Sequence, residues 1–192
     1  ALHAQKRDTV YVTPDNMEIS RLQEGKSVYL VYFRMAKDLP RTMTQFWTRE
    51  VKRENSVLEI TQSWEGKDSI VHTARSICDG QTFQPLFHET WWDKNGTQSA
   101  AVFDYVSRKV LVDGKDASQE ITQKEMYTTF VKATDRFTLN WHLDLEVLSV
   151  LPFALYKTFA VPFYLAGYRE PQNIFYTVID SGKLYGYDKG VI

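Results

Sequence analysis

Apolar and polar residues alternate with a period of two through the middle of the chain. In VLEITQSW, residues 57–64, three apolar side chains share one face, namely Leu58, Ile60 and Trp64. In AVFDYVS, residues 101–107, Ala101, Phe103 and Tyr105 share a face in the same way. One apolar face is typical of an antiparallel sheet that is covered on one side. The earlier run SVYLVYFRM, residues 27–35, is apolar on both faces, which fits a strand buried on both sides or part of a helix. Its length and its β-branched residues favour the strand.

Turn signals punctuate these runs. A glycine follows an acidic or amide residue at Glu65-Gly66, Asp79-Gly80, Asn95-Gly96 and Asp113-Gly114. Asp-Gly and Asn-Gly fit two-residue hairpin turns, because both central residues must tolerate positive φ. Ser181-Gly182 marks one more hairpin, between IFYTVI and KLYGYD. The pattern predicts a mainly β (α+β) fold, in which long antiparallel strands follow one another as a meander.

The most apolar stretch is LEVLSVLPFALYKTFAVPFYLAG, residues 145–167. It has the length of a membrane span, which needs about 20 apolar residues with few charges. Glu146 and Lys157 place charges inside it, and Pro152 and Pro162 interrupt it. The stretch therefore predicts a helix followed by a strand, and no transmembrane span.

A helix is predicted over residues 141–151, ended by Pro152, which lacks an amide donor. Its apolar stripe comprises Leu143, Val147, Val150 and Leu151, continues the spacing of Leu139, and is expected to face the sheet. Asp144 lies off this stripe, so we expect it to be exposed. The following strand contains Pro162, which favours an edge or a bulge. A sheet with one apolar face needs a cover, so this helix and the strand after it are predicted to cover the concave face of a curved sheet.

Composition narrows the functional classes. The chain has 192 residues, which predicts a single domain over 1–192, with residues 1–24 as an N-terminal extension or a first strand. The net charge is −1 and the basic residues are scattered, so the basic footprint of a nucleic-acid-binding protein is missing. Cys78 is the single cysteine, which rules out an internal disulfide.

Candidate chemistry is sparse. HETWW begins like the zinc motif H-E-x-x-H, but Trp92 stands where the second histidine is needed. None of the four histidines forms a close ligand pair in the sequence, so neither a metal nor a cofactor is predicted. His88 and Glu89 point to opposite faces of a strand, and Asp144 and Glu146 lie about 200° apart around a helix. The sequence therefore predicts no catalytic residues and a protein that is not an enzyme.

Aromatic residues make up 14% of the chain. Such an excess of rings favours a plain core, and it also suits a concave apolar ligand site. The cavity-lining candidates are the rings on the predicted strands and helix together with the helix stripe: Trp64, Trp92, Phe103, Tyr105, Trp141, Leu143, Val147 and Leu151. The ligand they imply is a lipid or another apolar small molecule.

The first residues bear on localisation. The chain begins ALHAQKRDTV, and a small residue at position 4 before a polar stretch fits the scar of a cleaved signal peptide, or equally a cloning boundary. We expect an exported protein of the periplasm or cell envelope.

Several motifs resemble a family of uncharacterised exported bacterial proteins that carry a domain of unknown function. The motifs are FQPLFHETWW, FDYVSRKVLVDGK, LDLEVLSVLPF, FAVPFYLAG and FYTVIDSGKL, and the resemblance spans roughly residues 25–190. It implies a half-open β-barrel with a helix across its mouth, similar to the periplasmic carriers that move lipoproteins between bacterial membranes. Such proteins usually continue into further strands where this sequence reads YGYDKGVI, so either C-terminal strands are missing here or this member is short, and the resemblance leaves closure of the barrel open. The family supplies no catalytic residues.

Three functions follow as expectations. The first is an exported, non-enzymatic binding or scaffold protein that holds an apolar ligand between helix and sheet. The second is a cell-envelope hydrolase, which needs His72 or His88 to meet a carboxylate or hydroxyl in a cleft. The third is a protein–protein adaptor that uses an exposed sheet edge. The sequence leaves the oligomeric state open.

Overall fold

The computed structural model describes residues 8–154, 157–166, 170–180, 182–183 and 190–191. The strands are β1 (Thr9–Tyr11), β2 (Gly25–Phe33), β3 (Thr42–Glu54), β4 (Val57–Glu65), β5 (Ile70–Asp79), β6 (Pro85–Lys94), β7 (Thr97–Asp104), β8 (Lys109–Val112), β9 (Lys115–Asp116), β10 (Leu139–Asn140), β11 (Thr158–Tyr164), β12 (Gln172–Thr177), β13 (Gly182–Lys183) and β14 (Gly190–Val191). The helices are α1 (Lys124–Thr134) and α2 (Asp144–Val150), and single turns of 3-10 helix occur at Pro14–Asn16, Ile19–Arg21 and Trp141–Leu143.

Strands β2 to β9 form one eight-stranded antiparallel sheet in which each strand pairs with the next along the chain. This confirms the prediction of a mainly β fold built on a long-stranded meander. Within the described part of the chain β2 and β9 do not pair with each other, so the sheet stays open and no barrel closes. The alternating apolar and polar residues of the sequence lie on the two faces of the sheet. Along β4, Leu58, Ile60 and Gln62 on one face are buried, and the residues between them on the other face are half-buried.

Two of the predicted turns have the expected geometry. Asn95 and Gly96 both have positive φ, as do Asp113 and Gly114, and each pair joins adjacent strands directly. The other two glycines have a different role, because neither Gly66 nor Gly80 has positive φ. A Cβ atom on Gly80 would lie 2.7 Å from the carbonyl oxygen of Ser56, so this position requires close approach rather than an unusual backbone angle. The predicted hairpin at Ser181-Gly182 lies largely outside the described residues.

A second, smaller sheet is centred on β11. β1 and β10 pair with it in parallel along one side, and β12 pairs with it antiparallel along the other. The prediction that Pro162 lies at an edge or bulge is therefore wrong. Pro162 is tolerated because β11 has no partner beside it on one side. The pairing with β1 stops at Ala160 of β11, and the pairing with β10 starts at Phe163 of β11. The N-terminal segment belongs to the same core, since Val12, Met17, Ile19 and Leu22 are buried in it.

The predicted helix over 141–151 is confirmed as a 3-10 turn at Trp141–Leu143 that continues into α2 and ends before Pro152. All four stripe residues, Leu143, Val147, Val150 and Leu151, are buried in the main core. Leu139 is also buried but belongs to β10 rather than to the helix. The expectation of an exposed Asp144 is wrong: its side chain is only 25% exposed, and a carboxylate oxygen lies 3.4 Å from Nη1 of Arg49.

A second helix, α1, was not predicted. Its sequence, KEMYTTFVKAT, is rich in residues that favour strands, and this composition hides the helical spacing of its buried side chains. Phe130 and Ala133 pack in a separate core with Phe103, Tyr105 and Val110 of the large sheet. The sheet is therefore covered by two helices instead of one. None of the helices within the described ranges combines the length and the hydrophobicity that a bilayer crossing requires.

The expectation that residues 27–35 form a strand buried on both sides is wrong. The run does form a strand, β2, but eight of its nine residues are exposed and the remaining one, Val31, is half-buried. β2 is the outermost strand of the large sheet, and its apolar side chains therefore face solvent on both faces.

Candidate functional site

A row of rings crosses the large sheet on the face that the helices cover. Trp47 on β3 lies opposite Trp64 on β4, which lies opposite His72 on β5, which lies opposite Trp92 on β6. Side chains directly opposite each other in an antiparallel sheet point to the same face. The rings are in contact: the centroids of Trp47 and Trp64 are 3.9 Å apart with nearly parallel planes, and those of His72 and Trp92 are 3.7 Å apart.

A second row runs parallel to the first. Ser76 on β5 lies opposite His88 on β6, and His88 lies opposite Phe103 on β7. Between the two rows the sheet carries small side chains, where Ala74 lies opposite Thr90 and Thr90 opposite Ala101. Large rings on either side of short side chains leave a depression in this face of the sheet.

His142 covers this depression from the 3-10 turn at Trp141–Leu143. Its backbone N–H donates to Oδ1 of Asn140 at 3.1 Å, which caps the turn. Its backbone carbonyl accepts hydrogen bonds from Arg49, at 2.7 Å, and from the side-chain amide of Gln62. Two strands of the sheet therefore fix the backbone of this residue, and its imidazole lies over the rings with its Nε2 atom 2.9 Å from Nε2 of His72.

The network defines the tautomers of the two imidazoles. Nδ1 of His72 lies 2.8 Å from the carbonyl oxygen of Trp91, and a carbonyl can only accept, so Nδ1 carries the proton. In neutral His72 the Nε2 atom is then an acceptor, and His142 donates to it through its own Nε2–H. The sequence shows no close pair of histidines, and the fold brings these two together. The residues are 70 positions apart in the chain, and local spacing cannot reveal the contact.

Burial keeps all three histidines of the site uncharged at neutral pH. Desolvation lowers the pKa of His72 to about 4, although its hydrogen bond to the carbonyl of Trp91 opposes the shift. Desolvation also lowers the pKa of His88 to about 3, helped by the nearby His72. The pKa of His142 lies well below its usual value, first because of burial and then because His88, His72 and Arg49 are close. The imidazoles therefore act as polar but uncharged rings.

Arg49 holds α2 onto the sheet. Its Nε atom donates to Oε1 of Glu146 at 2.8 Å, and its Nη2 atom donates to the other carboxylate oxygen of the same residue. Its Nη1 atom lies 3.4 Å from Oδ1 of Asp144. The expectation that Asp144 and Glu146 do not converge is therefore wrong: the two carboxylates reach one guanidinium from either side. This ion pair is structural, because every one of these contacts joins the sheet to the covering helix.

A cavity of about 330 Å³ lies between the sheet, the 3-10 turn, α1 and the end of β11. Four of the predicted ligand-binding residues line it: Trp64, Trp92, Phe103 and Trp141. Sequence reasoning missed the rest of the lining, which includes His88, Thr90, Ala101, Met126, Asn140, His142 and Tyr164. Ser99, Ala100 and Ala166 are exposed and also line it, so the cavity has an opening to solvent beside them.

The other four predicted residues lie away from the cavity. Leu143, Val147 and Leu151 are buried in the main core beneath α2. Tyr105 packs in the second core with Phe130, at a ring-centroid distance of 4.9 Å. Its hydroxyl is buried and has no hydrogen-bond partner among the residues that the structure describes. None of these four side chains is part of the cavity lining.

The polar contacts of His88 bear on the expectation of a hydrolase. Nδ1 of His88 does meet a hydroxyl, since it lies 2.9 Å from Oγ of Ser76. However, Ser76 is buried and its Oγ also accepts from Asn140 at 3.2 Å, and an imidazole with a pKa of about 3 is a weak base at neutral pH. Among the described residues, no group of three or more histidine, cysteine, aspartate or glutamate side chains could hold a metal ion.

One signal for the missed residues was present in the sequence. The Asn95-Gly96 turn pairs Lys94 with Thr97, and counting back along both strands brings His88 opposite Phe103. That register alone places an imidazole beside a phenyl ring on the covered face. Nothing comparable indicates that His142 joins them.

Comparison with protein families gave one match. A family model described as "Protein of unknown function (DUF3108)" matches residues 28–188, which covers the large sheet except for the first three residues of β2, both helices and most of the small sheet. No curated protein and no solved structure matches the chain significantly.

Proposed function

We propose that this chain, which belongs to the DUF3108 family of proteins of unknown function, is a binding protein that holds an apolar ligand between its large sheet and the helices that cover it. The observation that supports this proposal is the cavity of about 330 Å³. Known ligand pockets have volumes of about 300–1,000 Å³ and are lined mainly by hydrophobic and aromatic side chains with a few polar groups.

The lining suits a hydrocarbon chain or a small apolar ring system. Its walls are the faces and edges of Trp64, Trp92, Phe103 and Trp141. Because the imidazoles of His88 and His142 are uncharged at neutral pH, no ionised group of the lining has to lose its hydration when an apolar molecule enters. The volume lies at the lower end of the range for ligand sites, which favours one acyl chain over a whole phospholipid.

Polar atoms in the lining of the cavity can orient a bound ligand. The side chains of Thr90, Ser99 and Asn140 lie along the lining and can donate or accept hydrogen bonds. A ligand with an apolar body and one polar end satisfies both parts of the site. A fatty acid or the acyl portion of a lipid has this form.

We extend the proposal to location and to the absence of catalysis. The motifs that resemble exported bacterial proteins support a role in the periplasm or cell envelope. Burial also raises the pKa of the Cys78 thiol, and a buried thiol that remains protonated resists oxidation in such a compartment. The Ser76–His88 contact favours a non-enzymatic role, because the hydroxyl of Ser76 is buried and Ser76 is not among the residues that line the cavity.

Native mass spectrometry of the protein purified from its own host tests the proposal. We expect an added mass in the range of a lipid or another apolar molecule, released when the protein is unfolded. A second measurement uses cis-parinaric acid, a fluorescent fatty acid, with energy transfer from tryptophan as the signal of binding.

A matched pair of variants assigns the binding to the cavity. Ala101→Phe places a ring in the cavity, whereas Val102→Phe adds the same ring to the opposite face of β7. Ala101→Phe should abolish the energy transfer, and Val102→Phe should leave it unchanged. Equal binding by both variants, or no binding and no added mass in the unaltered protein, would refute the ligand site.

A further inference from the structure

The hairpin formed by β2 and β3 extends beyond the rest of the large sheet. Phe33 pairs with Thr42 near its tip, whereas β4 ends where Glu65 pairs with Phe46. Residues 42–45 of β3 therefore have no partner in β4 and continue for about 13 Å past it. Residues 34–41 connect the two strands beyond that point. Within the described ranges, no third strand pairs with this part of the hairpin.

The protruding hairpin carries large apolar side chains on both of its faces. Leu30 lies opposite Phe46 on one face, and the next residue of the strand points to the other. The most exposed are Met35, at 84%, and Met43, at 69%. The apolar set consists of Val28, Leu30, Phe33, Met35, Leu39 and Met43. Soluble proteins rarely expose a contiguous apolar surface of this kind unless it binds something.

Cationic side chains surround these apolar residues. The connection contributes Arg34, Lys37 and Arg41 against a single acidic residue, Asp38, although the whole chain carries a net charge of −1. The tip is ordered by its own contacts. Nε of Arg34 donates to the carbonyl oxygen of Leu39 at 3.1 Å, and the guanidinium of Arg41 lies 4.6 Å from the centre of the Tyr32 ring.

We propose that this hairpin docks on the surface of an anionic lipid bilayer. Apolar side chains that alternate with basic ones fit the boundary between acyl chains and headgroups, where the former enter the bilayer and the latter contact phosphates. The charges at the tip limit insertion to a shallow depth, because a charged side chain at the bilayer centre is unfavourable. The proposal rests on the hairpin alone and does not depend on what the cavity binds.

A second copy of the chain is the main competing occupant. Pairing of β2 with its counterpart would satisfy the backbone groups of this edge strand, but it would leave the apolar side chains on both faces in water. In the antiparallel arrangement centred on Leu30, it would also place Lys26 opposite Arg34 of the other copy, and like charges opposite each other are destabilising. A bilayer covers both faces at once and attracts the basic residues.

Vesicle sedimentation tests the proposal with liposomes of phosphatidylcholine alone and of an equal mixture with phosphatidylglycerol. The protein should sediment with the mixed vesicles, and raising the salt concentration should weaken this binding because screening reduces the attraction to anionic lipid. The variant Met35→Asp/Leu39→Asp should bind at least about tenfold more weakly, because it removes two apolar contacts and adds negative charge.

The matched control is Ile121→Asp, which makes the same kind of change at a side chain that is 93% exposed elsewhere on the surface. It should sediment like the unaltered protein. Tryptophan fluorescence and cis-parinaric acid binding should be the same in all three proteins, which separates this proposal from the one on the cavity. Failure to bind mixed vesicles, or equal binding by the hairpin variant, would overturn the proposal. So would a dimer in light scattering that the hairpin variant dissociates, since this result would assign the surface to a second copy.

Discussion

The guanidinium of Arg49 on β3 and the carboxylate of Glu146 on α2 form a buried ion pair, with Nε 2.8 Å from Oε1. Only 3% of the Arg49 side chain and 5% of the Glu146 side chain are exposed. The same guanidinium donates to the carbonyl of His142. One arginine therefore fixes both the helix and the turn that cover the cavity.

Removing Arg49 should destabilise the protein strongly. In Arg49→Met, the carboxylate of Glu146 stays buried without its partner, so the free energy of unfolding should fall by about 3–5 kcal/mol. Urea denaturation measures the change. The double variant Arg49→Met/Glu146→Leu should recover most of the loss, because it also removes the uncompensated charge.

The control for this experiment is the ion pair on the opposite face of the sheet. Arg75 contacts Glu59 there, and the two side chains are 39% and 27% exposed. Arg75→Met should lower the free energy of unfolding by less than about 1 kcal/mol. If Arg49→Met and Arg75→Met gave equal losses, the role assigned to the buried pair would be wrong.

The apolar stripe of the covering helix gives a second prediction. Leu151 is fully buried beneath the end of α2, so Leu151→Ala should lower the free energy of unfolding by about 2–5 kcal/mol. Ile121→Ala serves as the control at an exposed site and should change it by less than about 0.5 kcal/mol. Both values come from urea melts. Coincident midpoints would show that the stripe does not stabilise the fold.

The meander and the covering helix were predictable because their signals are local. Two turns with positive φ, at Asn95-Gly96 and Asp113-Gly114, determine which strands are neighbours, and Pro152 determines where the helix ends. The contact between His72 and His142 could not be predicted, because it depends on how a turn far along the chain settles on the sheet. The pairing of Trp64 with His72 could not be predicted either. A register shift after Trp64 means that counting residues outward from the turn between β4 and β5 gives the wrong partners.

β2 shows a different limit of sequence reasoning. An apolar run on both faces fits burial on both sides, and it equally fits an exposed strand that binds something outside the chain. Hydrophobicity reports that a surface avoids water and says nothing about what covers it. The basic residues that follow, Arg34, Lys37 and Arg41, favour the exposed strand over the buried one. This could be recognised only from the structure, in which the hairpin protrudes from the sheet.

A third prediction concerns Gly80, which packs against the turn between β3 and β4. Its N–H donates to the carbonyl of Ser56 at 2.7 Å, and a Cβ atom would lie equally close to that oxygen. Gly80→Ala should therefore lower the free energy of unfolding by about 1–3 kcal/mol. Thermal or urea unfolding measures the change.

The matched position is Gly66, in the connection between β4 and β5. The nearest atom to a Cβ there is a side-chain methyl group of Val71 at 3.4 Å, an ordinary contact. Gly66→Ala should be neutral or slightly stabilising, because alanine restricts the unfolded chain. A loss at Gly66 as large as the loss at Gly80 would contradict the close-approach argument.

The buried histidines predict how stability depends on pH. Their pKa values in the folded protein lie below the usual value of 6.5, at about 4 for His72 and about 3 for His88. Between pH 6.5 and these values the unfolded chain binds more protons than the folded one, so stability falls as the pH falls. The contribution is fully present above pH 6.5 and is lost progressively toward pH 4 and below.

Urea denaturation at a series of pH values between 7 and 4, compared with the variant His72→Phe/His142→Phe, tests this prediction. Both imidazoles are replaced because each is the hydrogen-bond partner of the other. In this variant, the loss of stability at low pH should come mainly from His88 and from groups outside the cavity. We expect the free energy of unfolding of the unaltered protein to fall by about 1–3 kcal/mol more than that of the variant over this range. Parallel pH curves for the two proteins would mean that these histidines are not held neutral by burial. The same pH range should weaken cis-parinaric acid binding, because protonation places a charge beside the rings that hold the apolar probe.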